Sequence, residues 1–131
     1  MGTIDSALFS RLSGHAGLKA LVSSRIYPPP APQNAAYPLV TYQEIDRQPI
    51  HVMGGTAGVV HIRCQIDCWA ETLAAAKAVA AQVAAALDNY SGTSDGIVIK
   101  NSFLESGQSS PYDDSEGLHR YIQDFLIEYV G

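Results

Sequence analysis

Charge is scarce in this chain. Asp, Glu, Lys and Arg make up 16% of its 131 residues, against roughly 25% in an ordinary soluble domain. The eight basic residues are scattered as Arg11, Lys19, Arg25, Arg47, Arg63, Lys77, Lys100 and Arg120. A sequence-independent grip on nucleic acid needs such residues clustered against phosphate, so that function is disfavoured. With 13 acidic residues the formal net charge is −5. A mildly acidic body can still surround DNA without holding it, because like charges repel. Sparse charge fits a surface partly covered by another subunit, and equally a composition diluted by alanine.

Cysteine is also rare. Cys64 and Cys68 are the two in the chain, four residues apart on one strand, which separates them by about 13 Å. A disulfide needs Cα atoms within about 7 Å, so the expectation is a pair of buried thiols in a reducing compartment. No apolar run approaches the ~18 residues of a membrane span. The N-terminus shows no basic and apolar stretch of a secretory signal. Met1-Gly2 with Ser6 matches a short lipidation pattern, but the segment reads better as a capped helix.

Catalytic constellations are missing as well. No serine sits in a Gly-x-Ser-x-Gly elbow. Met53-Gly54-Gly55-Thr56-Ala57-Gly58 is glycine-rich, yet it precedes a strand and lacks the Gly-Lys-Ser/Thr ending of a phosphate loop; a hairpin tip is the better reading. His15, His51, His61 and His119 could suggest zinc beside the cysteines. However, His61 and Cys64 lie on opposite faces of one strand, and Cys64 and Cys68 stand too far apart to share an ion that binds at about 2.1–2.3 Å. The sequence therefore offers no catalytic residue, no cofactor-binding residue and no metal ligand set, and the protein is read as a non-enzyme.

What the chain does have is pattern. Val59 to Trp69 alternates, with Val60, Ile62, Cys64, Ile66 and Cys68 on one side and His61, Arg63, Gln65 and Asp67 on the other, which predicts a strand with one buried and one wet face. Thr72 then opens an alanine-rich helix that runs to Leu87. Upstream, Thr3 or Asp5 can cap a first helix carrying Ile4, Leu8 and Leu12. Gly14 and Gly17 break it before a short turn with Leu18, Leu21 and Val22. Arg25-Ile26-Tyr27 is a short strand or extended segment, and residues 28–36 form a proline-stiffened connector. Pro38 to Ile45 predicts a strand paired with Val59–Trp69 across a long connection from Asp46 to Gly58. Asp88 to Gly96 is turn chemistry throughout. Ile97–Glu105 and Leu118–Tyr129 predict two more strands around a polar loop from Ser106 to Gly117. The expected fold is a single α+β domain over residues 1–131, in the order α-β-β-α-β-β: a four-stranded antiparallel sheet, or a mixed one, with two main helices packed on it.

On the alanine-rich helix, Leu73, Ala76, Val79, Ala80, Val83, Ala84 and Leu87 fall on one arc at 100° per residue, which should pack on the sheet. Ala74, Ala78, Ala81 and Ala85 fall opposite. An alanine face lets another backbone approach closely, so these four are candidate subunit contacts; alanine is equally the best helix former.

The assembled residues resemble a known family. Arg25-Ile26-Tyr27-Pro28, Ala31-Pro32-Gln33, Pro38-Leu39-Val40-Thr41-Tyr42, Gly54-Gly55-Thr56-Ala57-Gly58, Arg63-Cys64-Gln65-Ile66-Asp67-Cys68-Trp69, Ala76-Lys77 and Leu118-His119-Arg120-Tyr121-Ile122-Gln123-Asp124-Phe125 are similar, in order and spacing, to the tail-completion (tail-terminator) proteins of long flexible-tailed phages, prophages and gene-transfer particles. The likeness runs from about Leu18 to Tyr129. It implies a structural virion protein forming a homo-oligomeric, hexameric ring. That ring stops the growth of the tail tube and docks to the head connector, with DNA passing through its lumen. The implied partners are further copies of the chain, the tail tube protein and the head–tail connector or adaptor; DNA is not gripped and no membrane is involved. The implied place is the head-proximal end of the tail, reached by assembly in the host cytoplasm.

Long loops leaving a sheet suit contact with a tube or a neighbour. Arg47, Gln48, Ile50, His51, Met53 and Thr56 around the hairpin tip, and Ser109, Tyr112 and Asp113 in the second loop, are therefore candidate partner contacts. Two other readings stay open. One is an adaptor, connector or minor tail protein of the same particle. The other is a small ligand-binding or enzymatic α+β domain with a pocket between helix and sheet.

Overall fold

The computed structural model describes residues 3–23, 25–28, 32, 36–52, 55–109 and 117–130; at 48–52, 55–57 and 109 it describes the backbone alone. Three helices and six strands lie among the described residues: α1 (Ile4–Ser13), α2 (Ala16–Val22), β1 (Ile26–Tyr27), β2 (Leu39–Val52), β3 (Gly55–Ala70), α3 (Leu73–Leu87), β4 (Tyr90–Ser94), β5 (Ile97–Ser109) and β6 (His119–Val130). Thr3 and Ser6 form a reciprocal capping box at the start of α1, which satisfies amides the helix cannot bond itself. Thr72 caps α3, its Oγ1 accepting from the Ala75 amide at 3.1 Å.

All six strands join one sheet in the order β1-β2-β3-β6-β5-β4. β1 runs parallel to β2; the other pairs are antiparallel. The expected four-stranded sheet with two main helices is thus corrected to a six-stranded mixed sheet with three helices. Residues 90–94, read as turn, form the edge strand β4. Pairing there is a backbone matter, from Tyr90↔Ser102 to Ser94↔Ile97, and small polar residues do not prevent it. The turn itself shrinks to Asp95 and Gly96, at φ 49° and 79°, the left-handed pair that a two-residue hairpin requires.

The long connection expected over Asp46–Gly58 is corrected too. β2 continues to Val52 and β3 begins at Gly55, with His51↔Thr56 and Val52↔Gly55 paired. Pro49 lies within β2. It is tolerated because β2 is paired on one side only beyond Thr41 among the described residues, and a missing amide there can face outward. Likewise β5 extends into the expected loop as far as Ser109.

The helices cover one face of the sheet. Leu8, Leu12, Leu18, Val79, Val83 and Leu87 pack with Cys64, Ile66, Phe125 and Ile127 in one core cluster. On α3 the buried residues are Ala76, Val79, Ala80, Val83, Ala86 and Leu87. Two of the residues expected on that arc differ: Leu73 is exposed and Ala84 half-buried. Polar ties fix the layers. Gln123 Nε2 donates to Ala80 O at 3.1 Å from within the core. Ser94 Oγ donates to Ala7 O at 2.7 Å. Arg11 Nε donates to Ala86 O at 2.8 Å while its guanidinium lies 4.0 Å from the Tyr90 ring centre.

Candidate functional site

The other face of the sheet carries no helix among the described residues, and the register sets out its side chains in rows. Residues paired across strands point to the same side. The rows on this open face run Leu39–Trp69–Arg120, Thr41–Asp67–Ile122, Gln43–Gln65–Asp124–Ser106, Asp46–Arg63–Leu126–Phe103 and His61–Glu128–Asn101.

The first two rows close over one another. Asp67 is buried although it lies on the face read as wet. Its Oδ2 accepts from Arg120 Nη2 at 2.6 Å, and its Oδ1 from Gln65 Nε2 at 3.1 Å. The Arg120 guanidinium lies 4.9 Å from the Trp69 ring centre, and Trp69 Nε1 donates to Thr41 Oγ1 at 3.2 Å. A carboxylate can be buried here because it meets a guanidinium and an amide.

The last two rows open into a groove of about 400 Å³ whose lining includes Asp46, His61, Arg63, Phe103, Leu126 and Glu128. Arg63 spans to Glu105 as a bidentate pair. His61 Nε2 stands 2.9 Å from Glu128 Oε2. Between these polar pairs, the cross-strand neighbours Phe103 and Leu126 are 46% and 41% exposed. The sequence alternation placed His61 and Arg63 on this side. It could not show Phe103 beside Leu126, because register shifts in β5 at Ile99/Asn101 and Leu104/Ser106 change the phase of that strand.

The candidate partner contacts do not gather into one site. Arg47 lies on the helix side of β2 and pairs with Glu44 at 2.7 Å. Gln48, Ile50 and His51 lie in β2 and Thr56 in β3. Ser109 ends β5 at the opposite end of the sheet, paired with Tyr121 and through it with Cys68. Gln48 pairs with His61, and seven residues of β3 at ~3.3 Å each separate the two groups by roughly 23 Å. Met53, Tyr112 and Asp113 lie outside the described residues. Ala74, Ala78, Ala81 and Ala85 are exposed on the side of α3 away from the sheet.

Cys64 and Cys68 are free and buried. Burial, with a smaller contribution from the Asp5 charge, pushes the Cys64 thiol from its ordinary 9.0 up to about 12. Cys68 is raised further, by burial and then by Asp67. Thiolate, the reactive form, is suppressed in the fold. At pH 8 a disulfide reagent is therefore expected to modify both thiols only as fast as the protein opens; prompt labelling of the native protein would contradict this. A raised folded-state pKa on an acid means the neutral form is favoured in the fold. Stability should accordingly be unaffected by these thiols below pH 9 and fall as pH climbs from 9 towards 12.

Among the described residues no group of three or more His, Cys, Asp or Glu side chains could hold a metal ion, and no helix is long and apolar enough to cross a membrane. In the groove, His61 is engaged with Glu128 and Arg63 with Glu105.

No curated protein matches the chain. A chain of a solved structure, described as the virion of a native gene transfer agent particle, shares the fold at a TM-score of 0.79 and 21% identity, covering 99% of this chain and 96% of that one. The family described as tail completion protein gp17 matches residues 6–129. The chain belongs to this family of phage tail completion proteins.

Proposed function

We propose that this structural tail protein forms a homo-oligomeric ring, six subunits around, at the head-proximal end of a phage-type tail. The ring ends the tail tube and joins it to the head connector, and DNA passes through its lumen. The observation that carries this reading is the family match across residues 6–129. The likeness to a gene transfer agent virion chain over nearly the whole length supports it. So does a surface that keeps Phe9, Leu21, Ile45, Leu73, Val98, Phe103, Leu126 and Val130 exposed, apolar side chains that contact with a neighbouring subunit would cover. A head-to-tail interface repeated around a closed ring is a common way for a small subunit to cover such area. The net charge of −5 with dispersed cations suits a lumen that DNA traverses without sticking. Assembly takes place in the host cytoplasm, against the tail tube protein on one side and the connector or adaptor on the other. The Arg47–Thr56 end of the β2–β3 hairpin and the Ser109 end of β5, at opposite ends of the sheet, are the partner-facing elements.

Particles made without this protein are expected to carry overlong, headless tails, measured by electron microscopy. Tails of normal length lying beside filled heads would assign the connector or adaptor role instead.

A further inference from the structure

Each outer surface of this two-layer subunit carries uncovered apolar side chains, and the two surfaces differ in charge. On the helix side, Leu21 of α2 and Leu73 of α3 are exposed, next to the exposed alanines of α3. The two helices pack together, with the His15 ring 3.2 Å from Gln82 Oε1. Lys19 is the single charged residue in α2 and Lys77 the single charged residue in α3, so the helices themselves present cations, while the exposed carboxylates Glu71 and Asp88 stand just outside the two ends of α3. On the sheet side, Phe103 and Leu126 stand exposed in the groove. There Asp46, Asp67, Glu105, Asp124 and Glu128 outnumber Arg63 and Arg120.

We infer that the open sheet face of one copy receives the α2–α3 surface of the next copy, with the alanine side of α3 lying over Phe103 and Leu126 and Lys77 meeting the acidic rim at Glu128. This deepens the self-assembly reading proposed above and rests on it. Three features select a second copy as the occupant. The apolar patches are on opposite surfaces of one subunit, so a symmetric dimer buries one and leaves the other, whereas head-to-tail stacking buries both. The charges are complementary, which fixes the direction of docking. Alanine lets a helix approach the sheet closely enough for the aromatic ring and leucine to fill the contact, the kind of buried centre that dominates interface energetics.

The test is a cross-link between separately made variants. Ala78→Cys and Leu126→Cys lie on opposite layers of one subunit and cannot reach each other within it. Mixed under mild oxidation, they are expected to give a disulfide dimer absent from either variant alone, since Cys64 and Cys68 are buried. Leu126→Asp should weaken assembly roughly tenfold or more, seen by sedimentation. Lys77→Glu should weaken it too, and Glu128→Lys added to Lys77→Glu should restore it. Circular dichroism melts check that each variant folds, and the cysteine variants keep the test valid if an acidic one does not. Wild type that stays monomeric at every concentration, alone and with tail tube protein, overturns both the self-assembly reading and this one. Wild type that assembles, yet neither cross-links through these positions nor responds to Leu126→Asp, overturns the assignment of faces alone. Capture of Leu126→Cys by tail tube protein instead of Ala78→Cys also overturns it.

Discussion

Truncating Phe125 to alanine is expected to destabilise the fold by about 3–5 kcal/mol, lowering the melting temperature by roughly 10–20 °C in a domain of this size. Phe125 is fully buried. It lies mid-sheet in the row Glu44–Cys64–Phe125–Leu104, beneath the helices, in the shared core cluster. Its removal takes apolar area out of the core and leaves a cavity the surrounding β-structure cannot close. The next residue supplies the control. Leu126 points to the other face at 41% exposure, so Leu126→Ala should change the stability of the isolated subunit by only about 0.5 kcal/mol. Thermal melts of the two variants side by side measure the sheet's two-residue period directly; equal losses would contradict the assigned face.

The second large effect is expected at Asp67. Its side chain is 8% exposed and that of Arg120 31% exposed. Asp67→Ala removes the carboxylate while the guanidinium stays against Trp69, with its Nε already lacking a partner among the described residues. Leaving a buried cation uncompensated costs up to 3–5 kcal/mol; partial solvent access at Arg120 reduces the expectation to about 1–3 kcal/mol. Replacing both residues, Asp67→Val with Arg120→Leu, should recover most of that loss, because a well-packed apolar pair often replaces an ion pair without penalty. Denaturant unfolding of the two single variants and the double variant measures the coupling. An additive cycle would show that the pair contributes no interaction energy of its own.

Much of the central scaffold could be read from side chains. The alternation from Val59 to Trp69 located β3 and its buried cysteines, because period-two burial is written in residue type. Thr72 and the alanine run located α3, because capping and propensity are local. The missed parts depend on distant partners. β4 is made of Tyr-Ser-Gly-Thr-Ser, whose serines and glycine read as turn, and is a strand because β5 offers it a backbone edge. Residues 46–52 carry Arg, Gln and Pro, yet pair with β3 through a register shift between Glu44 and Asp46. The same limit hid the groove. Arg63 meets Glu105 across 42 positions of sequence, and His61 meets Glu128 on the neighbouring strand β6. Asp67 read as solvated because its neighbours alternate polar and apolar; the reach of Arg120 from another strand buries it.

The seam between β3 and β6 pairs continuously from Val59↔Val130 to Ala70↔His119, without a shift, whereas β2, β4 and β5 each show irregular pairing. A bulge bends its strand and increases local twist. The subunit thus has a keel of unbroken register flanked by margins with bulges. In the ring proposed above, copies around the axis would adjust curvature at those margins while the keel keeps its register, so small errors in spacing would not spread from one copy to the next.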